Sequence, residues 1–192
     1  MTEPSEYCLQ WDSTPLNDVY GSVPSESGVH MIVLDAASRG WTVIYVGKSA
    51  DVRRRGRDHL RDWFTAPGPG YWIPNDATAF LDDPIVVFNA NTFATGLPDR
   101  ANIQRRVRER CRFCFAIADL TDREHGLEHL EYVLQEAVKQ HADINVPGHL
   151  GDSGMRHPPS TDLVIFNRFV EPHLRVALPN VIEYRASQLR LS

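Results

Sequence analysis

The stretch GVHMIVLDAASRGWTVIYVGKSADVRRRGRDH, residues 28–59, decides the fold. Two apolar, β-branched runs, Val29 to Leu34 and Trp41 to Val46, flank Asp35-Ala36-Ala37-Ser38-Arg39-Gly40 and predict an antiparallel hairpin closed by a loop. Past Gly47, Ser49 or Asp51 can cap a helix that extends to about Phe64. Val52, Gly56, Leu60 and Trp63 recur on one face of that helix, while Arg53, Arg57 and Arg61 follow a different line. Arg55 and His59, four residues apart, share the margin of the apolar face.

Downstream, Pro67-Gly68-Pro69-Gly70 and Pro74-Asn75-Asp76 mark a loop-rich insertion at about 65–111, with Trp63, Tyr71 and Trp72 around it. It is expected to hold an added strand at Ile85 to Phe88 and an added basic helix at Asp99 to Arg110. Arg112 to Leu120 alternates as a third core strand. Thr121 and Asp122 can cap a second long helix that reaches about His141, its buried stripe formed by Leu127, Leu130, Leu134, Ala137 and Val138. Asn145-Val146-Pro147-Gly148 supplies the closing turn. Residues 1–27, rich in Pro, Ser, Asp and Glu, read as an N-terminal extension or loosely packed arm. Residues 151–192, with one strand-like run from Leu163 to Phe169, read as a C-terminal extension packed on the central domain of residues 28–150.

A chain of 192 residues fits one domain with extensions. It has no run of about eighteen apolar residues and no signal-peptide order near its N-terminus, so the expectation is a cytoplasmic protein without a membrane span. Three cysteines, Cys8, Cys111 and Cys114, make an odd, sparse set that argues against a disulfide framework. Cys111 and Cys114 also lack the second cysteine pair of a structural zinc site. The formal net charge is −5, yet arginine is concentrated in two segments, Arg53 to Arg61 with Lys48, and Arg100 to Arg112. Such clusters suit a polyanion, although a GC-rich genome would favour arginine equally.

Gly28-Val29-His30, Tyr45-Val46-Gly47 and Arg55, eight residues past Gly47, together resemble the GIY-YIG nuclease family, with His30 in place of the first motif tyrosine. The resemblance covers about residues 28–148. It implies an α+β domain in which a small antiparallel three-stranded sheet is flanked by helices, here with insertions. It also implies an endonuclease, restriction-like, that hydrolyses DNA phosphodiester bonds with Mg²⁺ or Mn²⁺. Two other readings stay open: a catalytically silent nucleic-acid-binding module, and an enzyme of the same fold acting on a small molecule.

Phosphodiester hydrolysis needs an activated water, charge neutralisation at phosphorus and a hard cation. The family places its metal-binding glutamate on the helix after the third strand, with an asparagine downstream. Glu128, Glu131 and Glu136 are the candidates, and Asn145 is the asparagine. At 100° per residue Glu131 falls at the edge of the buried stripe and Glu136 on the opposite side, so Glu131 is the expected ligand. Arg55 would contact the scissile phosphate, Tyr45 the attacking water or phosphate, and His59 would act beside Arg55. His30 would be the general base and give an acid limb near its own pKa. Lys48, Arg53, Arg54, Arg105 and Arg106 are the expected DNA contacts.

Overall fold

The computed structural model describes residues 4–35, 41–65, 109–118, 120, 126–141 and 158–192. Residues 66–108 of the insertion expected at about 65–111, Arg105 and Arg106 among them, lie outside the described residues, as do the caps at Thr121 and Asp122 and Asn145.

Among the described residues seven strands make one sheet: β1 (Ser5–Pro15), β2 (Gly28–Asp35), β3 (Trp41–Ser49), β4 (Cys111–Ile117), β5 (Leu163–Phe169), β6 (Val181–Arg185) and β7 (Gln188–Leu191), in the order β3-β2-β4-β1-β5-β6-β7. The helices are a short α1 (Val19–Ser22), α2 (Val52–Thr65) and α3 (Gly126–His141). The hairpin β2–β3 stands as expected, and the third strand expected at Arg112 to Leu120 is β4, which pairs antiparallel with β2. The small three-stranded sheet does not. The sheet is mixed, with β1 antiparallel to β4 and parallel to β5, and it curls into a half-barrel.

That correction has a clear cause in β1. From Glu6 to Asp12 its residues alternate, with Tyr7, Leu9 and Trp11 buried and Glu6, Cys8, Gln10 and Asp12 exposed. One apolar face is enough to hold a strand, whatever the average polarity. Trp11 Nε1 donates to Asn167 Oδ1 at 2.9 Å, and Asn167 Nδ2 donates to the Pro179 carbonyl at 2.9 Å, so the β1–β5 junction is buried with its polar atoms bonded. The N-terminal segment is thus the strand that joins β2–β4 to β5–β7.

Both faces of β2 are covered, which is why its first seven residues are all buried. Val29, Met31 and Val33 join Leu130, Val133, Leu134 and Ala137 of α3 in the main core. His30 and Ile32 face the other way, toward the side that carries α2. On β3 the register shifts opposite Ile32 and Val33, where Tyr45 and then Val43 are the partners, leaving Ile44 as the extra residue. This bulge puts Val43 and Val46 in the α3 core while leaving Tyr45 on the α2 side. Asp51 caps α2 as expected: Oδ1 accepts from the Arg54 N–H at 2.9 Å, and Ser25 Oγ donates to Oδ2 at 2.7 Å. These bonds hold its carboxyl below the usual range.

Cys8, Cys111 and Cys114 are free, and burial raises the thiol pKa of the latter two, so they pack as small apolar groups in β4. Among the described residues no helix is long and apolar enough to cross a membrane.

The β6–β7 hairpin closes through Ala186 and Ser187, with φ of 47° and 63°, between the paired residues Arg185 and Gln188. Two consecutive positive φ values define the turn that Asn-Gly adopts most readily, and a Cβ in that region is costly. The double replacement Ala186→Asn, Ser187→Gly is expected to raise unfolding free energy by about 1 kcal/mol. A urea titration that shows no gain, or a loss, would refute that account of the turn.

Candidate active site

The C-terminal end of β3 and the first turns of α2 and α3 enclose a cleft of about 700 Å³, lined by Lys48, Ser49, Arg54 and Arg55 on one side and Leu127 and Glu128 on another. Three cations therefore face it. Helix α2 starts at this end of β3 because Asp51 stops the strand and caps the helix, while Val52 N–H donates to the Glu26 carbonyl. Lys48 Nζ is ion-paired to Glu128 Oε1 at 2.7 Å, a half-exposed contact that ties β3 to α3.

Beneath the cleft, four residues expected to act together do meet. Arg55 Nη2 donates to the Tyr45 hydroxyl at 3.2 Å. The Tyr45 ring stands edge-on to His59, with centroids 4.6 Å apart, and stacks on His30 at 5.7 Å. His30 and His59 are both fully buried, their Nε2 atoms 3.0 Å apart, with Phe113 against both rings. Gly47 makes this packing possible. A Cβ there would fall 2.7 Å from Tyr45 Cε1 and 2.9 Å from His30 Cε1, so the last residue of Tyr45-Val46-Gly47 must lack a side chain.

Burial first, and the nearby Arg55 charge second, lower the His30 pKa to about 3. His59 is held well below its ordinary value by burial, then by His30 and Arg55. Both imidazoles are neutral at pH 7, and one Nε2–H donates to the other Nε2. His30 has no exposed surface, its Nε2 is bonded to His59, and its Nδ1 is buried without a hydrogen-bond partner. In this arrangement His30 packs against Tyr45, and its lowered pKa moves any acid limb from this ring below the ordinary imidazole range.

Glu131 lies at the edge of the α3 stripe, as the helical angle implied, but deeper than a cleft-lining residue: it is 7 % exposed. Its carboxylate accepts from the Lys48 backbone N–H, and one turn on, Gln135 Nε2 donates to the Val46 carbonyl at 3.2 Å. Side chains of α3 thereby satisfy outward backbone groups of the edge strand β3. Desolvation raises the Glu131 pKa, opposed by Lys48 and Arg55 and reinforced by Glu128. Glu136 pairs with Lys139 at 2.7 Å on the exposed side.

Among the described residues no three His, Cys, Asp or Glu side chains form a metal-ligand group. Mg²⁺ asks for less, since it is commonly held by one or two carboxylates and keeps its remaining waters. Glu131 and Glu128, adjacent on α3 and coupled through their charges, offer that oxygen donor set.

Of the expected nucleic-acid contacts, Lys48 and Arg54 line the cleft. Arg53 does not; its Nε donates to the Val23 carbonyl and clasps the N-terminal segment. Ser27 and Ser49 are cleft residues outside the expected site, although Ser49 directly follows Gly47-Lys48, and Glu128, a ligand candidate passed over for Glu131, lines the cleft as well. No protein-family model, curated protein or solved structure matches the chain.

Proposed function

We propose that the chain is a cytoplasmic, metal-dependent endonuclease that hydrolyses DNA phosphodiester bonds in the cleft between α2 and α3. The observation that carries this reading is the bonded pair Arg55–Tyr45 at the floor of a tri-cationic cleft, with a buried carboxylate, Glu131, close enough to feel both Arg55 and Lys48. Arg55 directs one side of its guanidinium to Tyr45 and keeps further N–H donors for a phosphate oxygen. Lys48 and Arg54 hold the flanking phosphates. The Tyr45 hydroxyl, oriented by Arg55 and by the His30–His59 wall, positions the attacking water. As water adds to phosphorus, the P–O bond to the sugar breaks; one proton ends on the leaving oxygen and the other stays on the new phosphomonoester. Glu131 and Glu128 would hold Mg²⁺ or Mn²⁺, which supplies Lewis-acid neutralisation of the developing charge.

The test is nicking of supercoiled plasmid with and without Mg²⁺ or Mn²⁺. Metal-dependent nicking that tracks wild-type protein through purification, and is lost in Arg55→Ala, is expected; its absence across metals and salt would end the proposal. Arg55 and Arg54 should also separate. Arg55→Ala is expected to lower kcat by roughly 10²-fold with little change in DNA affinity, as suits a contact made mainly to transition-state charge. Arg54→Ala is expected to weaken binding and flatten its salt dependence. Equal loss of affinity in both variants would make Arg55 an ordinary phosphate anchor.

A further inference from the structure

Tyr20 is a large aromatic on the surface, 57 % exposed, on the short helix α1 that packs against α2. It is held in place. The Arg57 guanidinium lies 4.9 Å from the ring centroid, over one face. Gly56 lets α1 approach, since a Cβ there would already touch Val19 and the Phe113 ring. Three bonds fasten the same segment to the start of α2: Arg53 Nε to the Val23 carbonyl, Ser25 Oγ to Asp51, and Val52 N–H to the Glu26 carbonyl. With the guanidinium on one face, the exposure of Tyr20 comes from its other face and edge.

The surroundings specify what such a face receives. Arg57 follows Arg54 by three residues, about 4.5 Å of helix rise, so the two are neighbours on one face of α2. Arg54 itself lines the cleft. Positive charge therefore continues from Lys48, Arg55 and Arg54 to Arg57 and ends on an aromatic ring, in a chain whose overall charge is −5. A polyanion with a flat, unpaired ring next to a cleft-bound phosphate fits this order, and a tyrosine backed on one face by arginine is a strong stacking platform for the other.

We propose that Tyr20 and Arg57 form a stacking site for an unpaired DNA base next to the phosphate held in the cleft. The inference rests on the nuclease reading for the cleft's occupant and adds to it a single-stranded feature of the substrate. Stacking fixes the strand without reading its sequence, because every base has a π-face.

The experiment is fluorescence anisotropy with a short fluorescein-labelled oligo-dT, in EDTA so that cleavage does not intervene, over a range of salt. Tyr20→Ala is expected to weaken binding roughly 10-fold or more, and Tyr20→Leu similarly, while Tyr20→Phe stays near wild type. The salt slope of Tyr20→Ala should equal that of wild type, because no cation is lost, whereas Arg57→Ala should lower it by about 0.7. Arg185→Ala, on β6 and remote from α2, is the unchanged control. Wild-type protein that fails to bind oligo-dT, or a Tyr20→Ala variant that binds it as wild type does, overturns the proposal. Binding that depends on Tyr20 in a protein that nicks no plasmid would support the stacking site and remove the nuclease reading; nicking with no effect of Tyr20 on binding would do the opposite.

Discussion

Glu131→Gln is expected to lower metal-dependent nicking by roughly 10³-fold or more, because removing one charged ligand from a hard-cation site removes the neutralisation that the cation brings. The amide keeps the shape and can still accept from the Lys48 N–H, so the edge of β3 stays capped and the loss reports on charge. Glu128→Gln should cost less, about 10-fold, because the half-exposed Glu128 shares its charge with Lys48 and is the weaker of the two ligands, while the buried Glu131 carboxylate stays in place. Glu136→Gln, which touches only Lys139 among the ion pairs, should be silent. Burial raises the pKa of Glu131 in the metal-free protein, so acid should compete with metal loading, and more Mg²⁺ should be needed for the same rate as pH falls. Nicking retained by Glu131→Gln but lost by Glu128→Gln would move the metal to the cleft wall and leave Glu131 as a cap on β3.

The elements around this carboxylate were legible because each rests on local pattern. Val29 to Leu34 and Val43 to Val46 are β-branched runs, Asp51 is a cap before an apolar helical stripe, and Leu130, Leu134, Ala137 and Val138 repeat at helical spacing. What local pattern cannot carry is pairing at long range. β1 hides an alternating Tyr7, Leu9, Trp11 face inside a Ser-, Glu- and Asp-rich segment, and its partner β5 is distant in the chain, with the bonded Trp11 and Asn167 156 residues apart. Composition judged the segment by its average; burial acts on one face of it. The candidate site divides in the same way. Tyr45, Arg55 and His59 fall on one hairpin-and-helix unit, so their meeting followed from spacing. The depth of His30 did not, although an eight-residue strand without polar alternation, Gly28 to Asp35, is the signature of a strand covered on both faces. A histidine in such a strand is placed in the interior, where its charge is disfavoured. Tyr20 left no signal, because an aromatic in a polar arm acquires meaning only once α1 is laid against α2.

Mild acid is expected to unfold the protein, and the buried histidines set the slope. Each has an unfolded pKa near 6.5; in the folded chain His30 falls to about 3 and His59 is also well below 6.5. A depressed folded pKa means that the unfolded chain takes up protons first. The stability contributed by the neutral pair is complete above pH 6.5 and is lost as pH falls from there toward 3, at up to about 1.4 kcal/mol per pH unit for each histidine. Two together approach about 2.7 kcal/mol per unit, enough to consume a typical 5–15 kcal/mol within a few units. Glu131 works in the opposite sense, because its raised folded pKa lets the native state bind a proton first, so the histidine slope is cleanest between pH 6.5 and 5. The double variant His30→Phe, His59→Leu removes both partners of the Nε2–Nε2 bond and leaves no orphaned donor, so it should fold at pH 7.5 and lose most of the slope. His30→Phe alone should halve the slope and cost about 1–3 kcal/mol at neutral pH, since it strands the His59 Nε2 in an apolar wall. Urea midpoints measured across that window decide the matter: a double variant as acid-sensitive as wild type would mean that the two rings protonate without unfolding the chain, and that the wall behind Tyr45 is more open than its packing indicates.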